Sequence, residues 1–482
     1  MMRTTFLKIA VIVFGLVSCI VGQESAPEPS APRSIKVPSV RETKLPNGLR
    51  VAVVEKTDVP LVTIQLLVKN GAFEESDPKA GLADLTATML TKGTTTKTAT
   101  QIAEEVEFLG GSINSGAGWN SSFVSLTVTS DKFEQAMSIL ADVVLRPKFA
   151  DKELELLKSQ SLDSLTYNLK QPSFLANYVA SKYSLGEHPA GGTPTSIGSI
   201  TSADIRQYHA ANYRSDESIL IFTGDVPSAK ANAATKKYFG GWKKLPARPV
   251  RLFKAPASAR SEPAIKNILV VDLPKSGQES VTYAKPIFAV GRKDAGYYDA
   301  SVLNSILGGG YSSRLNLEIR IKRGLSYGAG SGFSWRGWKT NFTTRTQTKN
   351  ESAPEVTELV LAEMRKLTNE SVADGEIVPR KSALTGNFGR SLESTLGLAG
   401  AVADLYSFGI PASELNSYSN KVNGVSDLGV KAFAAANLMG GDVIIAGDYS
   451  IFKADLAKRF PGVPIKVVSA SDLDLNKLDQ YR

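Results

Sequence analysis

The chain has 482 residues, with 56 lysines and arginines against 47 aspartates and glutamates, a formal net charge of +9, and 42% hydrophobic residues. That balance excludes a disordered chain and leaves room for two or more folded domains. The basic residues are scattered and nowhere interleaved with aromatics, so no nucleic-acid surface is expected and the excess charge reads as a solvated basic face.

Arg3 and Lys8 precede or border the apolar run Ile9 to Val21, which is too short to span a bilayer comfortably. Residues 1–21 therefore read as a signal peptide. Within it, Leu16-Val17-Ser18-Cys19 resembles a bacterial lipobox, in which Cys19 would be lipidated and become the mature N-terminus. The plainer alternative is a secretory signal cut a few residues later. Both predict export to the periplasm or envelope, the first with membrane attachment through Cys19. Cys19 is the only cysteine, so no internal disulfide can form. Residues 22–39 are rich in proline and serine and read as a tether.

Two β-branched strands follow, over Gly48 to Lys56 and Leu61 to Gly71. In GLADLTATMLTKG (Gly81 to Gly93), Leu82, Leu85 and Met89 make one apolar stripe of a helix, while Asp84, Ala87 and Thr88 share another face. QIAEEVEFLGG is a helix carrying Ile102, Val106 and Leu109, stopped by two glycines. SFVSLTVTS alternates as a strand, with Val124, Leu126 and Val128 on one side. DKFEQAMSILADVVLRP is a helix with Phe133, Met137, Leu140 and Val144 on one stripe.

Further along, ILIFTGDV (Ile219 to Val226) is echoed by VIIAGDYS (Val443 to Ser450), and AANY (Ala210 to Tyr213) by AANL (Ala435 to Leu438). So long a period means a duplicated domain. The first copy is placed at 40–245 and the second at 267–482, with the Pro-, Arg- and Ala-rich stretch 246–266 as linker. The fold class expected is α+β: two related domains, each a mixed or antiparallel sheet layered with helices.

The frame G-L-A-x5-M-L-x-K-G-T (Gly81 to Thr94) and the F-L-G-G turn at Phe108 resemble the start of the M16 family of zinc metallopeptidases, the insulinase and processing-peptidase-like inverzincins. LRPKF (Leu145 to Phe149), GEHPAGG (Gly186 to Gly192) and LGGGYSSRLNLEIRIKRGLSYG (Leu307 to Gly328) continue the resemblance over most of the mature chain. It implies two homologous domains of M16 type. It also implies a helix on which two histidines of H-x-x-E-H bind zinc and the glutamate is general base, with a second glutamate downstream as ligand. In this chain the aligned positions hold Asp84 and Thr88 for the histidines, Ala87 for the base and Ser164, beside Asp163, for the downstream ligand.

The chain has two histidines, His188 and His209, so H-x-x-E-H cannot occur in any register. A catalytic zinc takes three protein ligands and an open water position, which these residues do not supply. Both histidines read as structural or surface residues, and hydrolysis by this chain alone is not expected. Gly308-Gly309-Gly310 lacks the following G-K-[ST] of a phosphate loop and reads as a tight turn.

In the second copy, Arg320 and Tyr327 have the spacing of an Arg/Tyr pair that M16 peptidases use to bind substrate beside the zinc. A guanidinium and a phenol can hold a peptide carbonyl and its developing oxyanion. The resemblance is to the non-catalytic, Arg/Tyr-bearing subunit of bacterial M16 heterodimers. It implies a partner subunit that carries the zinc and a peptide or unfolded polypeptide as substrate. The alternative is a peptidase-independent peptide-binding or structural scaffold of the envelope, and a third reading is a hydrolase with a relocated site.

Overall fold

The computed structural model describes residues 37–246, 264–288 and 290–482. The expected signal peptide, the lipobox with Cys19, nearly all of the tether and most of the linker lie outside these residues. Among the described residues, no helix is long and apolar enough to cross a membrane.

Among the described residues the molecule is α+β, built on two six-stranded mixed sheets. The first contains β1 (Val40–Lys44), β2 (Arg50–Glu55), β3 (Leu61–Val68), β4 (Ser112–Ala117), β5 (Ser122–Thr129) and β6 (Ser218–Gly224), in the order β1-β2-β6-β3-β5-β4. The second contains β7 (Ile265–Asp272), β8 (Glu279–Phe288), β9 (Ser326–Trp335), β10 (Lys339–Thr348), β11 (Gly441–Gly447) and β12 (Ile465–Ser469), in the order β12-β7-β11-β8-β10-β9. Five positions correspond, with β6 and β11 as equivalent strands: each is parallel to one neighbour and antiparallel to the other. The outer strand differs. β1 precedes β2 and runs antiparallel to it, whereas β12 comes late in the chain and runs parallel to β7.

The strands SILIFTG and GDVIIAG are buried at every residue, which requires cover on both faces of each sheet. The helices used below are α1 (Leu82–Met89), α2 (Asp151–Leu169), α3 (Pro172–Tyr183), α4 (Asp374–Ser391), α5 (Thr395–Ser407) and α6 (Glu414–Asn423). Part of the cover is exchanged between the halves. Helix α3, from the first half, packs across β8 and β11 of the second sheet, and α5, from the second half, packs across β3 and β6 of the first. Leu269, Val271, Ala284, Ile444 and Ala446 of the second sheet accordingly belong to the same apolar core as Val179 and Tyr183 of α3. Burial of the leucine, valine and isoleucine side chains among these stabilises by ~1.5–3 kcal/mol each.

Polar groups fix the position of α5. Thr63 Oγ1 and Thr395 Oγ1 are 2.9 Å apart, and Thr223 Oγ1 donates to the Thr395 carbonyl at 2.7 Å. Gly224, at the end of β6, has φ +119°, and a Cβ there would lie 2.1 Å from the Leu61 carbonyl oxygen and 3.0 Å from Thr395 Cγ2. Glycine is required there by both conformation and space.

Candidate functional site

Helix α1 starts at Gly81, whose φ of +92° is in the left-handed region and whose missing side chain lets Gly192 approach; a Cβ would stand 3.1 Å from its Cα. The N-terminus is capped from a distance. Glu75 accepts from the Gly81 N–H at 2.9 Å and the Ala83 N–H at 2.7 Å, placing a carboxylate on the positive end of the helix. His188 Nε2 lies 3.0 Å from the same carboxylate, and its Nδ1 lies 3.4 Å from Asp77 Oδ1. The imidazole packs on Trp119 with ring centroids 4.9 Å apart.

The apolar stripe of Leu82, Leu85 and Met89 is buried. On the other face Asp84 and Thr88 are half-buried one turn apart, and Ala87 is completely buried. Asp84 Oδ1 accepts from the Ala117 N–H of edge strand β4 at 3.3 Å, and burial pushes the Asp84 carboxyl above its ordinary range. Ser164 is exposed on α2, where its hydroxyl accepts from Asn168 at 3.4 Å. It lines a cleft formed with α3 and residues 189–192, and no residue of α1 lines that cleft.

His209 is half-buried elsewhere, with Nε2 2.9 Å from the Val144 carbonyl oxygen, and desolvation pushes its imidazole down to about 4. Among the described residues no group of three or more His, Cys, Asp or Glu side chains is arranged to hold a metal ion. One carboxylate already engaged with a backbone amide, a threonine and an alanine do not fit a catalytic zinc, whose ligands are three N, O or S donors.

Arg320 sits in a π-helix, Asn316–Lys322, between the helix Gly296–Leu307 and strand β9. Such wide turns are rare and concentrate at functional sites. The Arg320 guanidinium lies 5.0 Å from the Tyr311 ring centroid and forms no ion pair with any described residue. Tyr327, at the start of β9, is 88% exposed. Tyr327 therefore does not pack into the core. Strand β9, at the edge of the second sheet, thus carries an exposed phenol at its start, and the half-buried Arg320 guanidinium lies in the π-helix that precedes it.

Sequence reasoning missed the residues that join the halves next to α1. Arg336, in the β9–β10 turn, grips Glu187 with two bonds of 3.0 and 2.7 Å, and Lys339 adds a third at 2.9 Å. The Arg336 guanidinium also lies 5.1 Å from the Trp119 ring centroid. Burial would raise the Glu187 carboxyl, but Arg336 and then Lys339 outweigh it and hold it below the usual range. GEHPAGG contains both Glu187 and His188, yet nothing in its spacing announces partners so far along the chain.

Comparison with known proteins gives consistent matches. A family model described as insulinase (peptidase family M16) matches residues 50–184, and one described as peptidase M16 inactive domain matches residues 199–384. Similar proteins include an uncharacterized zinc protease of Mycobacterium leprae, 28% identical over 310 residues, 64% of this chain and 68% of that protein. Another is the uncharacterized zinc protease YmxG of Bacillus subtilis, 24% identical over 353 residues, 72% of this chain and 83% of that protein. Among solved structures, a peptidase M16 inactive domain from Pseudomonas fluorescens superposes with a TM-score of 0.76 at 27% identity, over 85% of this chain and 98% of that one. A protease from Helicobacter pylori gives 0.77 at 20% identity over 86% and 100%, a likeness of fold alone.

Proposed function

This chain belongs to the M16 peptidase family, and from that premise we propose that it is the non-catalytic, substrate-binding subunit of an exported M16 zinc metallopeptidase complex. The zinc and the general base belong to the partner subunit, and Arg320 and Tyr327 of this chain are supplied in trans to a peptide held there. The observation that carries the reading is the state of that pair: an Arg320 guanidinium without an ion pair among the described residues and a Tyr327 phenol that is 88% exposed. The donor set on α1 supports it, since Asp84, Ala87 and Thr88 leave this chain without a base positioned to activate a zinc-bound water.

Arg320 and Tyr327 act as hydrogen-bond donors to the scissile carbonyl, where charge develops in the transition state. Their contribution is positional and electrostatic, and no proton is transferred by either. Coexpression with each zinc-motif M16 protein of the same cell tests this. A stable heterodimer is expected, whose peptidase rate falls on the order of 10²-fold in Arg320→Ala while assembly is unchanged. A functional homodimer that recruits no zinc-bearing subunit would instead favour the envelope scaffold. Stoichiometric zinc with chelator-sensitive activity in this chain alone would overturn both.

A further inference from the structure

Arg292 lies between β8 and the helix Gly296–Leu307, and its side chain is only 6% exposed. Its Cζ is 3.6 Å from the Tyr297 ring centroid, so one face of the guanidinium is covered. In its own plane one donor is unsatisfied among the described residues. Nε has no hydrogen-bond partner among the described residues, and the carboxylate it pairs with, Asp404, stays 3.6 Å away, beyond hydrogen-bond reach. A guanidinium carries five N–H donors, and burying a cation without acceptors is costly. Tyr418 and Glu414 of α6 do not relieve it. Glu414 already accepts from Tyr298, Lys421 and Ser417.

Nε itself is closed off, but the guanidinium as a whole borders open space. Arg292 lines two adjoining clefts of about 610 and about 330 Å³. The smaller is walled by the stacked pair Phe388 of α4 and Tyr418 of α6, with ring centroids 4.2 Å apart, and Leu384, Leu405 and Leu415 add apolar surface. Asp404 of α5 borders the same cleft, and its carboxylate is more than half exposed. A cleft with one cation lacking acceptors, one accessible carboxylate and an aromatic wall is already charge-balanced. A simple anion would satisfy Arg292 but face Asp404, whereas a molecule carrying both charges satisfies the two together.

We propose that this cleft binds a small zwitterion, an α-amino acid or dipeptide with an apolar side chain. Its carboxylate takes the open donors of Arg292, its ammonium takes Asp404, and its side chain lies against Phe388 and Tyr418. The volume suits a ligand of this size, at the small end of binding pockets. The assignment does not depend on the role of Arg320 and Tyr327.

Calorimetric titration of the full chain with L-phenylalanine, L-phenylalaninamide, N-acetyl-L-phenylalanine and inorganic phosphate tests it. L-phenylalanine is expected to bind, with the amide and the N-acetyl derivative each weaker by about tenfold or more. Asp404→Asn should erase the penalty for N-acetylation, and Arg292→Lys should weaken the free amino acid while leaving the amide unchanged. Equal binding of acid and amide, tighter binding of phosphate than of L-phenylalanine, or no binding up to about 10 mM would each overturn the proposal. The ligand series on the unmodified chain decides the matter even if the Arg292 variants fold poorly.

Discussion

Arg336 and Glu187 form a two-bond ion pair across the seam of the molecule, and the neighbour of that glutamate, His188, holds the carboxylate that caps α1. The second half thereby braces the helix on which the M16 metal motif would sit. A bidentate guanidinium–carboxylate contact of this kind fixes angle as well as distance. It therefore orients α1 as well as holding the halves together.

Glu187→Ala leaves Arg336 and Lys339 with little exposure and without their shared counter-charge. A loss of about 3–5 kcal/mol is expected, as for breaking a buried pair, measured by urea unfolding at pH 7. Because the Glu187 carboxyl is held below its ordinary value, its stabilisation is present above the unfolded pKa and is lost as pH falls through the folded one. Acid unfolding of the unmodified protein should therefore steepen below about pH 4.5, and the alanine variant should lack that component.

Glu279 predicts the opposite slope. It is completely buried, neither carboxylate oxygen has a hydrogen-bond partner among the described residues, and its pKa is pushed up to about 9, mainly by burial and then by Asp448 and Glu351. The stability tied to its neutral form is complete below the unfolded carboxylate pKa and is lost as pH rises through the folded value. Between about pH 5 and pH 9 the decline should approach about 1.4 kcal/mol per pH unit at most. Glu279→Gln should flatten the profile and exceed the parent at pH 8. A parallel decline in both proteins would refute this.

Tyr327→Phe and Arg320→Ala should change unfolding free energy by no more than about 0.5 kcal/mol, the range of surface substitutions. Tyr327 is 88% exposed and Arg320 has no ion pair to lose among the described residues. A large destabilisation, seen as a shifted midpoint in a thermal scan, would mean that the pair is structural.

Gly224→Ala should be among the most damaging single changes in the core. The added methyl meets the Leu61 carbonyl and Thr395 at once, at a residue with φ +119°. A loss of about 3 kcal/mol or more is expected. Thr395→Val, which removes only the hydroxyl contact with Thr63, should cost about 1–2 kcal/mol.

Much of the architecture was legible in the chain. The alternation of SFVSLTVTS and the β-branched runs before it mark β2, β3 and β5, and the paired motifs containing Gly224 and Gly447 mark the equivalent strands β6 and β11. β4 was missed because SINSGA is small and polar, as an edge strand can be without losing its pairing. The π-helix was missed because its wider turn has no signature at the 3.6-residue period. The exchange of α3 and α5 was invisible for another reason: an apolar face records that a partner exists and not which sheet supplies it. The Arg292 cleft was unreadable too, because a single loop arginine has no pattern to stand out from.

That exchange sets the order in which the chain can be completed. The face of β3 and β6 stays bare until α5 has emerged, although Gly224 precedes Ser407 by most of the second half. The N-terminal half therefore cannot mature as a finished unit during synthesis, in contrast to ordinary tandem domains that fold one after another. A chain of this design must be kept open until most of its length is available, and a truncation before residue 395 should leave an adhesive sheet rather than a half-sized protein.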